Sequence, residues 1–352
     1  MRHIIRAGLA TATVLGAFVF ANGALAAINP RFEVTSAPQS KSLTIGARIG
    51  QTDDWIGRLQ VYVPAGYKLG TPAASGSPVS VQAVETSVGP SNIAKLAGSL
   101  KAAAPNDAAA VSWATTNCDN AGHAATWMVS LLGGDGSWSF PVFVDNTTGS
   151  ETQFGAQKLV FCFGPREVGA QNTVGNKLLA LSLTLQGVTA PTAAGDYTWR
   201  SLWTPFANQP SPANPSDGTA AGDTLNQSGG VEAQSVVHVS AGVLTIRAQK
   251  SGNRVVLSGK FLVNGEAGDG VAVRVKHGSS VGSLVSLATV KTSTTGAWKT
   301  GAKLKKPSYF QAGVTVAGGD LGAAACKASF GVPCVSTTSG GTSFLSKLIR
   351  VR

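Results

Sequence analysis

Apolar and polar positions alternate along most of this chain. In WIGRLQVYVPAGY, Leu59, Val61 and Val63 fall on one side while Arg58, Gln60 and Tyr62 fall on the other, until Pro64-Ala65-Gly66 ends the run. A period of two is the pattern of a β-strand with one buried face. The same reading predicts strands in KSLTIGARI, VSVQAV, ATWMVSLL, WSFPVFV, KLVFCF, KLLALSLTL and VEAQSVVHV, so that eight runs between Ile28 and Ser240 suggest a β-sandwich or Greek-key arrangement. A second series starts at VLTIRAQ and continues through RVVLSGKFLVNG, VAVRVKHG, LVSLATVKT, TTGAWKT, SYFQAGV and FLSKLIRVR. Short strands punctuated by turns about every 8 to 12 residues are the signature of a second sandwich.

Three stretches depart from this rhythm. SNIAKLAGSLKAAAP places Ile93, Leu96, Ala97 and Leu100 at helical spacing, with Ser91 as N-cap and Pro105 as stop, which predicts one short helix near residues 91–104. A strand disguised by alanines is the alternative. Residues 205–230 are rich in Pro, Asn, Ser and Gly and are expected to form a long exposed loop. Ser240-Ala241-Gly242 is expected to be the hinge between a first domain, 27–241, and a second, 242–352.

The N-terminus reads as an address. Arg2 and Arg6 precede an apolar run from Ala7 to Phe20, and Ala24-Leu25-Ala26 follows with small residues at alternate positions. That is the form of a secretory signal peptide cut after Ala26, with an uncleaved anchor as the alternative. No later stretch reaches the ~18 uninterrupted apolar residues of a membrane span. An exported protein, secreted or held at the cell envelope, is therefore expected. Composition agrees with the strand reading, since 43 Gly and 16 Pro with only 13% charged residues suit short strands and many turns. An all-β chain of two sandwich domains is the expectation.

Four cysteines, Cys118, Cys162, Cys326 and Cys334, fit an oxidising compartment. Three connectivities are open. Pairing within each half is simplest, Cys118 with Cys162 and Cys326 with Cys334, the latter closing a small loop around Gly331 and Pro333. Trp113 and Trp127 flank Cys118 and are candidates to pack against the first bridge.

Charge changes the picture further. Residues 27–241 carry 11 Lys and Arg against 14 Asp and Glu, whereas residues 242–352 carry 15 against 3. The second half is strongly basic, with Lys303, Lys305 and Lys306 as its one tight cluster. A solvated basic surface without a partner competes with attraction to an anionic polymer of the envelope. Nucleic acid is not expected as a partner, because the cations lack the interleaved aromatics of a stacking platform.

Within the second half, GKFLVNGEAGDGVAVRVKHG, the ATVKTSTTGAWKT segment and the aromatic pair of PSYFQA carry an NG turn at Asn264-Gly265, alternating valines from Val271 to Val275, and a T-x-x-x-G-x-W turn from Thr292 to Trp298. This third of the chain resembles the bacterial extracellular immunoglobulin-like modules that end many exported proteins. The resemblance implies an immunoglobulin-like fold and no particular activity. The first half, with VYVPAGY and YTWRSLWTPF, is similar to uncharacterised secreted bacterial proteins.

No chemistry stands out. Gly278-Ser279-Ser280-Val281-Gly282 matches G-x-S-x-G formally, but a nucleophile elbow needs a strand-to-helix turn that a sandwich hairpin does not supply. Asp53-Asp54 and Glu266 with Asp269 read as turn residues rather than as an acid and nucleophile pair. His123, His238 and His277 are far apart, and Asp119-Asn120 and Gly134-Asp135-Gly136 lack the frame of a calcium loop. No catalytic residue, metal or cofactor is nominated. In YTWRSLWTPF, Tyr197 and Trp199 share a strand face and read as core, while Trp203 follows an apparent break at Ser201-Leu202. Trp203 and Trp138 are therefore the candidate ligand contacts of a carbohydrate-binding alternative. An extracellular hydrolase with an unrecognised site is a further alternative.

Overall fold

A computed structural model of the chain describes residues 28–71, 74–80, 84–88, 94–118, 122–133, 136–163, 178–207, 224–304 and 306–352. Residues 1–27, where the signal peptide was expected, most of the long loop, Asp119-Asn120, Gly134-Asp135, Lys305 and the side chain of Trp138 lie outside the described residues.

The fold is all-β, with sandwich-like sheets. The first group of strands is β1 (Arg31–Ala37), β2 (Ser42–Arg48), β3 (Ile56–Val63), β4 (Val84–Val88), β5 (Ala94–Ala102), β6 (Ala125–Gly133), β7 (Gly136–Asn146), β8 (Gln157–Cys162), β9 (Leu178–Gln186), β10 (Gly195–Pro205) and β11 (Val231–Val239). Antiparallel pairing runs without a break in the order β1-β2-β9-β4-β5-β6-β7-β8-β3-β10-β11. The alternation seen in the sequence turns one side of each strand inward. Phe32, Val34, Ile45, Leu59, Val61, Val142, Leu159, Phe161 and Leu183 are all fully buried in one cluster. Each such side chain contributes about 1.5–3 kcal/mol relative to exposure.

The second group is β12 (Gly242–Leu244), β13 (Arg247–Ser251), β14 (Arg254–Val263), β15 (Glu266–Ala267), β16 (Ala272–Gly278), β17 (Val285–Lys291), β18 (Ala297–Lys303), β19 (Ser308–Val316), β20 (Gly319–Asp320), β21 (Cys334–Ser339), β22 (Gly341–Leu345) and β23 (Ile349–Val351). β12, β13, β15 and β18 all pair with β14 in one sheet. β17, β16, β19, β22 and β23 form the facing sheet. Leu257, Phe261, Val273, Val275, Trp298, Phe310 and Phe344 fill the space between them as a separate core. The NG turn closes β14 onto β15 with positive φ at both Asn264 (53°) and Gly265 (87°), as a two-residue hairpin turn requires.

The two cores are tied by a feature absent from the sequence pattern. β21 leaves the second group and pairs in parallel with β11, the last strand of the first group. On its other side Ser336 Oγ and Thr338 Oγ1 donate to the carbonyls of Pro30 and Phe32, so β21 fills the seam between β1 and β11. Val34 N donates across the same seam to Ser235 Oγ. After Gly340 the chain continues as β22, touches the end of β1, and pairs with β19 in the second sandwich. One extended stretch, residues 334–345, is thus threaded through both. A Cβ at Gly340 would sit 2.5 Å from the Val34 carbonyl and 2.6 Å from Val237 Cγ2, which is why glycine stands at the crossing.

One local expectation is overturned. Within 91–104, Ala94–Ala102 form β5, not a helix, while the expected N-cap Ser91 and Ile93 lie outside the described residues. Leu96 and Leu100 are buried four residues apart, a spacing that satisfies both periods, and Ala102 continues the strand's alternation inward. Gly98 lies where the backbone of Ser130 passes too close for any side chain. The helix, α1 (Ala108–Asn117), follows instead, and Asp107 caps it by accepting from Ala110 N at 3.0 Å. Pro105 therefore precedes a helix rather than ending one.

Candidate ligand surface on the second sandwich

The cysteines pair as the sequence suggested, Cys118 with Cys162 and Cys326 with Cys334, with Cα separations of 5.7 and 5.5 Å. Trp113 joins the first bridge, its indole N–H donating to the Cys162 carbonyl at 2.9 Å, and packs with Ala114, Phe143 and Val160. Trp127 does not. Strand parity sends it to the opposite side of the sheet, into the first core.

Trp203 is fully buried, and its indole N–H donates to Ser201 Oγ at 2.9 Å. A stacking surface needs an exposed face, so the suggested ligand role of Trp203 is withdrawn. β10 runs unbroken from Gly195 to Pro205, and Trp199, Ser201 and Trp203 therefore stay in phase on the inner side. The period of two through TWRSLW was the available signal, obscured by the polar Ser201.

The other motifs fall into ordinary local structure. Ser280 caps the short turn Val281–Ser283 and its hydroxyl is 2.9 Å from Ser283 Oγ. Asp53 accepts from the backbone N–H of Gly50 and of Asn29. His123 pairs with Asp145 and His238 with Asp196, each at 2.7 Å, on different parts of the first sandwich. Among the described residues no group of three or more His, Cys, Asp or Glu could hold a metal ion. No helix among them is long and apolar enough to cross a membrane.

The basic residues of the second half do come together. β14 turns Val255, Leu257 and Phe261 inward, so Arg254 and Lys260 stand on the outer side. Register sets their neighbours: Arg254 lies opposite Lys303, Ser258 lies between Arg247 and Lys299, and Lys260 lies opposite Ala297. Residues directly opposite in an antiparallel pair share one face. Arg247, Arg254, Lys260, Lys299 and Lys303 thus occupy a single outer face, all five exposed, with Val256, Ser258 and Gly301 between them. None of the five has an ion-pair partner among the described residues. Lys306 is exposed just beyond the end of β18. Like charges directly opposite on a sheet cost stability, so the Arg254 and Lys303 pair carries a small penalty. The facing sheet presents Arg274, Lys276, Lys291 and Arg350 to solvent, the last 5.5 Å from the Tyr309 ring centroid.

The outer face of the first sandwich is arranged differently. On β3, β8, β10 and β11 the outward residues Tyr62, Lys158, Arg200, Glu232 and Gln234 lie beneath the turn Gly149–Phe154 and the loop between Cys326 and Cys334. Glu232 is fully buried and accepts from Arg200 Nη1, Gln234 Nε2, Ser329 N and Ser329 Oγ at 2.6–2.9 Å. Phe330 wedges between Tyr62 and Phe154, at centroid distances of 4.8 and 4.5 Å. Tyr62 donates to Glu151, which also pairs with Lys158. Burial, followed by that hydrogen bond and the charge of Glu151, pushes the Tyr62 phenol well above its usual range. Burial pushes the Tyr67 phenol up as well. These groups hold the disulfide loop in place.

No protein-family model matches the chain, and no curated protein is similar to it in sequence.

Proposed function

We propose that this is an exported, non-catalytic binding protein of the bacterial cell envelope or exterior, built of two domains, whose immunoglobulin-like C-terminal sandwich attaches to an anionic polymer. The observation that carries the reading is the outer face of β13, β14 and β18, where five exposed cations stand in register without a carboxylate among them. A sheet face with charges repeating along and across the strands suits an extended polyanion better than a compact anion, which needs donors converging on one point. Two disulfide-bonded cysteine pairs and the signal-like N-terminus support export. The first sandwich would then be the part displayed.

Long-range attraction of exposed charges fades once the Debye length drops to ~10 Å at 0.1 M salt and below at higher salt. The test is retention of the mature full-length chain on dextran sulfate and on polyphosphate resins across a sodium chloride series. Salt-dependent retention, shifted to lower salt when Arg247, Arg254, Lys260, Lys299 and Lys303 are all replaced by Gln, is expected. Retention that ignores salt, or elution of the five-fold variant at the wild-type position, would overturn the reading.

A further inference from the structure

The cations on the outer face of β14 have a spacing as well as a sign. Arg254, Val256, Ser258 and Lys260 point outward in turn, and the register of β13 and β18 divides the face into four rows. Arg254 and Lys303 make the first, and Gln249, Val256 and Gly301 make a second without charge. Arg247 and Lys299 flank Ser258 in the third, and Lys260 stands in the fourth. At ~3.4 Å per residue, successive rows lie about 7 Å apart. Two residues of strand are six backbone bonds. A linear polymer with one anionic group for every six backbone bonds therefore carries its charges at close to the same pitch when extended along β14. A phosphodiester chain with a three-carbon polyol has that repeat, through two P–O, two O–C and two C–C bonds. Building on the polyanion reading of this face, we infer that its ligand is such a chain, a poly(glycerol phosphate) lying along β14.

Pitch, floor and donor chemistry each favour that ligand. Polyphosphate carries a charge every two bonds, so most of its charges fall between rows. The rings of a sulfated glycan hold their charges at fixed angles around the chain, whereas an acyclic chain can turn every phosphate toward the sheet. Between the first and third rows the floor is low, because Gly301 has no side chain and Val256 is half-buried. A slender polyol can lie against it, and the exposed Gln249 amide supplies an uncharged donor there. Arg254 and Lys303 stand directly opposite each other, so both can donate to the two free oxygens of one phosphate. That contact also relieves their mutual repulsion. Nucleic acid shares the six-bond repeat, but it is held in addition by aromatic faces that stack its bases. The outward residues of β13, β14 and β18 include no aromatic, and Trp298 is buried in the second core.

The experiment is fluorescence anisotropy of the mature full-length chain in 0.15 M sodium chloride with labelled oligomers of equal charge number: oligo(glycerol phosphate), linear polyphosphate, a dextran sulfate fragment and oligothymidylate. The glycerol phosphate oligomer is expected to bind tightest, about fivefold or more ahead of the others. Arg254→Gln with Lys303→Gln should weaken it about tenfold with an unchanged unfolding midpoint. Arg274→Gln, Lys276→Gln and Lys291→Gln together remove three exposed cations from the facing sheet and should alter binding less than about twofold, because exposed charges farther off than the Debye length are screened. Equal or tighter binding of polyphosphate or dextran sulfate, still lost in the five-cation variant, would overturn the phosphodiester assignment and leave the polyanion reading standing. Tighter binding of oligothymidylate would overturn it in favour of nucleic acid. An equal loss in the facing-sheet variant would mean that net charge rather than this face is read, and binding of none of the four oligomers would sink both readings.

Discussion

Lys158, Tyr62, Arg200, Gln234 and Thr337 form a polar row across five strands on the outside of the first sandwich. Lys303, Arg254 and Ser251 form the corresponding kind of row on the second. The first row is roofed by a turn and a disulfide loop, and its charges are neutralised pair by pair, Lys158 by Glu151 and Arg200 by Glu232. The second row is bare and of one sign. Charges that are covered must find partners, because an unpaired buried ion costs several kcal/mol. Charges left unpaired on an open face cost little, and they are available to something outside the molecule.

The covered side should be the one that mutation breaks. The two disulfides close loops of different length, with sequence separations of 44 and 8. Loop entropy then gives about 4 kcal/mol for Cys118 with Cys162 and about 2.5 kcal/mol for Cys326 with Cys334. Cys118→Ala with Cys162→Ala should therefore lower urea-unfolding stability more than Cys326→Ala with Cys334→Ala. The reverse order would mean that the loop contacts of Ser329 and Phe330, rather than chain entropy, dominate.

Glu232→Ala comes next, at about 2 kcal/mol, since it strands the Arg200 guanidinium and the Ser329 N–H. It should also loosen β21, detectable as faster amide exchange from Cys334 to Ser339. Unchanged protection there would show that the seam holds β21 without the network.

Tyr62→Phe should cost about 1 kcal/mol at pH 8 through the lost hydrogen bond to Glu151. Its larger signature is with pH. The folded chain keeps the Tyr62 phenol protonated above its ordinary value of 10.0. The unfolded chain releases that proton near pH 10 and binds fewer protons above it. Stability is thus intact below about pH 10 and falls as the pH rises beyond. Tyr62→Phe should flatten that fall between pH 9.5 and 11, only in part because Tyr67 shifts in the same direction. An unaltered slope would remove Tyr62 from the alkaline limb.

Much of the fold was legible because strand alternation is local. WIGRLQVYV became β3 with Leu59, Val61 and Val63 buried as expected, KLVFCF became β8, which is buried on both faces, and the cysteine pairs followed from proximity in sequence. Two local errors have local causes: Leu96 and Leu100 obey both periods, and Ser201 disguised a strand that carries Trp203 inward. The placement of β21 was not legible at all. Its partner β11 is about a hundred residues away, and a parallel pairing of CVSTTS with EAQSV leaves no turn signature between them. The candidate cationic face was half legible, since the charge excess was plain but only the register of β13, β14 and β18 shows that Arg254 and Lys303 are neighbours.

The smallest effect on stability should come from the uncovered side, and that smallness is its diagnostic value. Lys299→Glu with Lys303→Glu changes two exposed residues that pair with nothing among the described residues, so the stability change should stay within ~0.5 kcal/mol. It should even be slightly favourable, because Glu at 303 would oppose Arg254 and replace a like-charge pair by an opposite one. Retention on dextran sulfate should nevertheless fall steeply, since each reversal removes one attractive charge and adds a repulsive one. A variant that is as stable as wild type and has lost its salt-dependent retention would separate the two faces cleanly. One that is destabilised as strongly as Glu232→Ala would mean that the cations of the second sandwich, like those of the first, are structural.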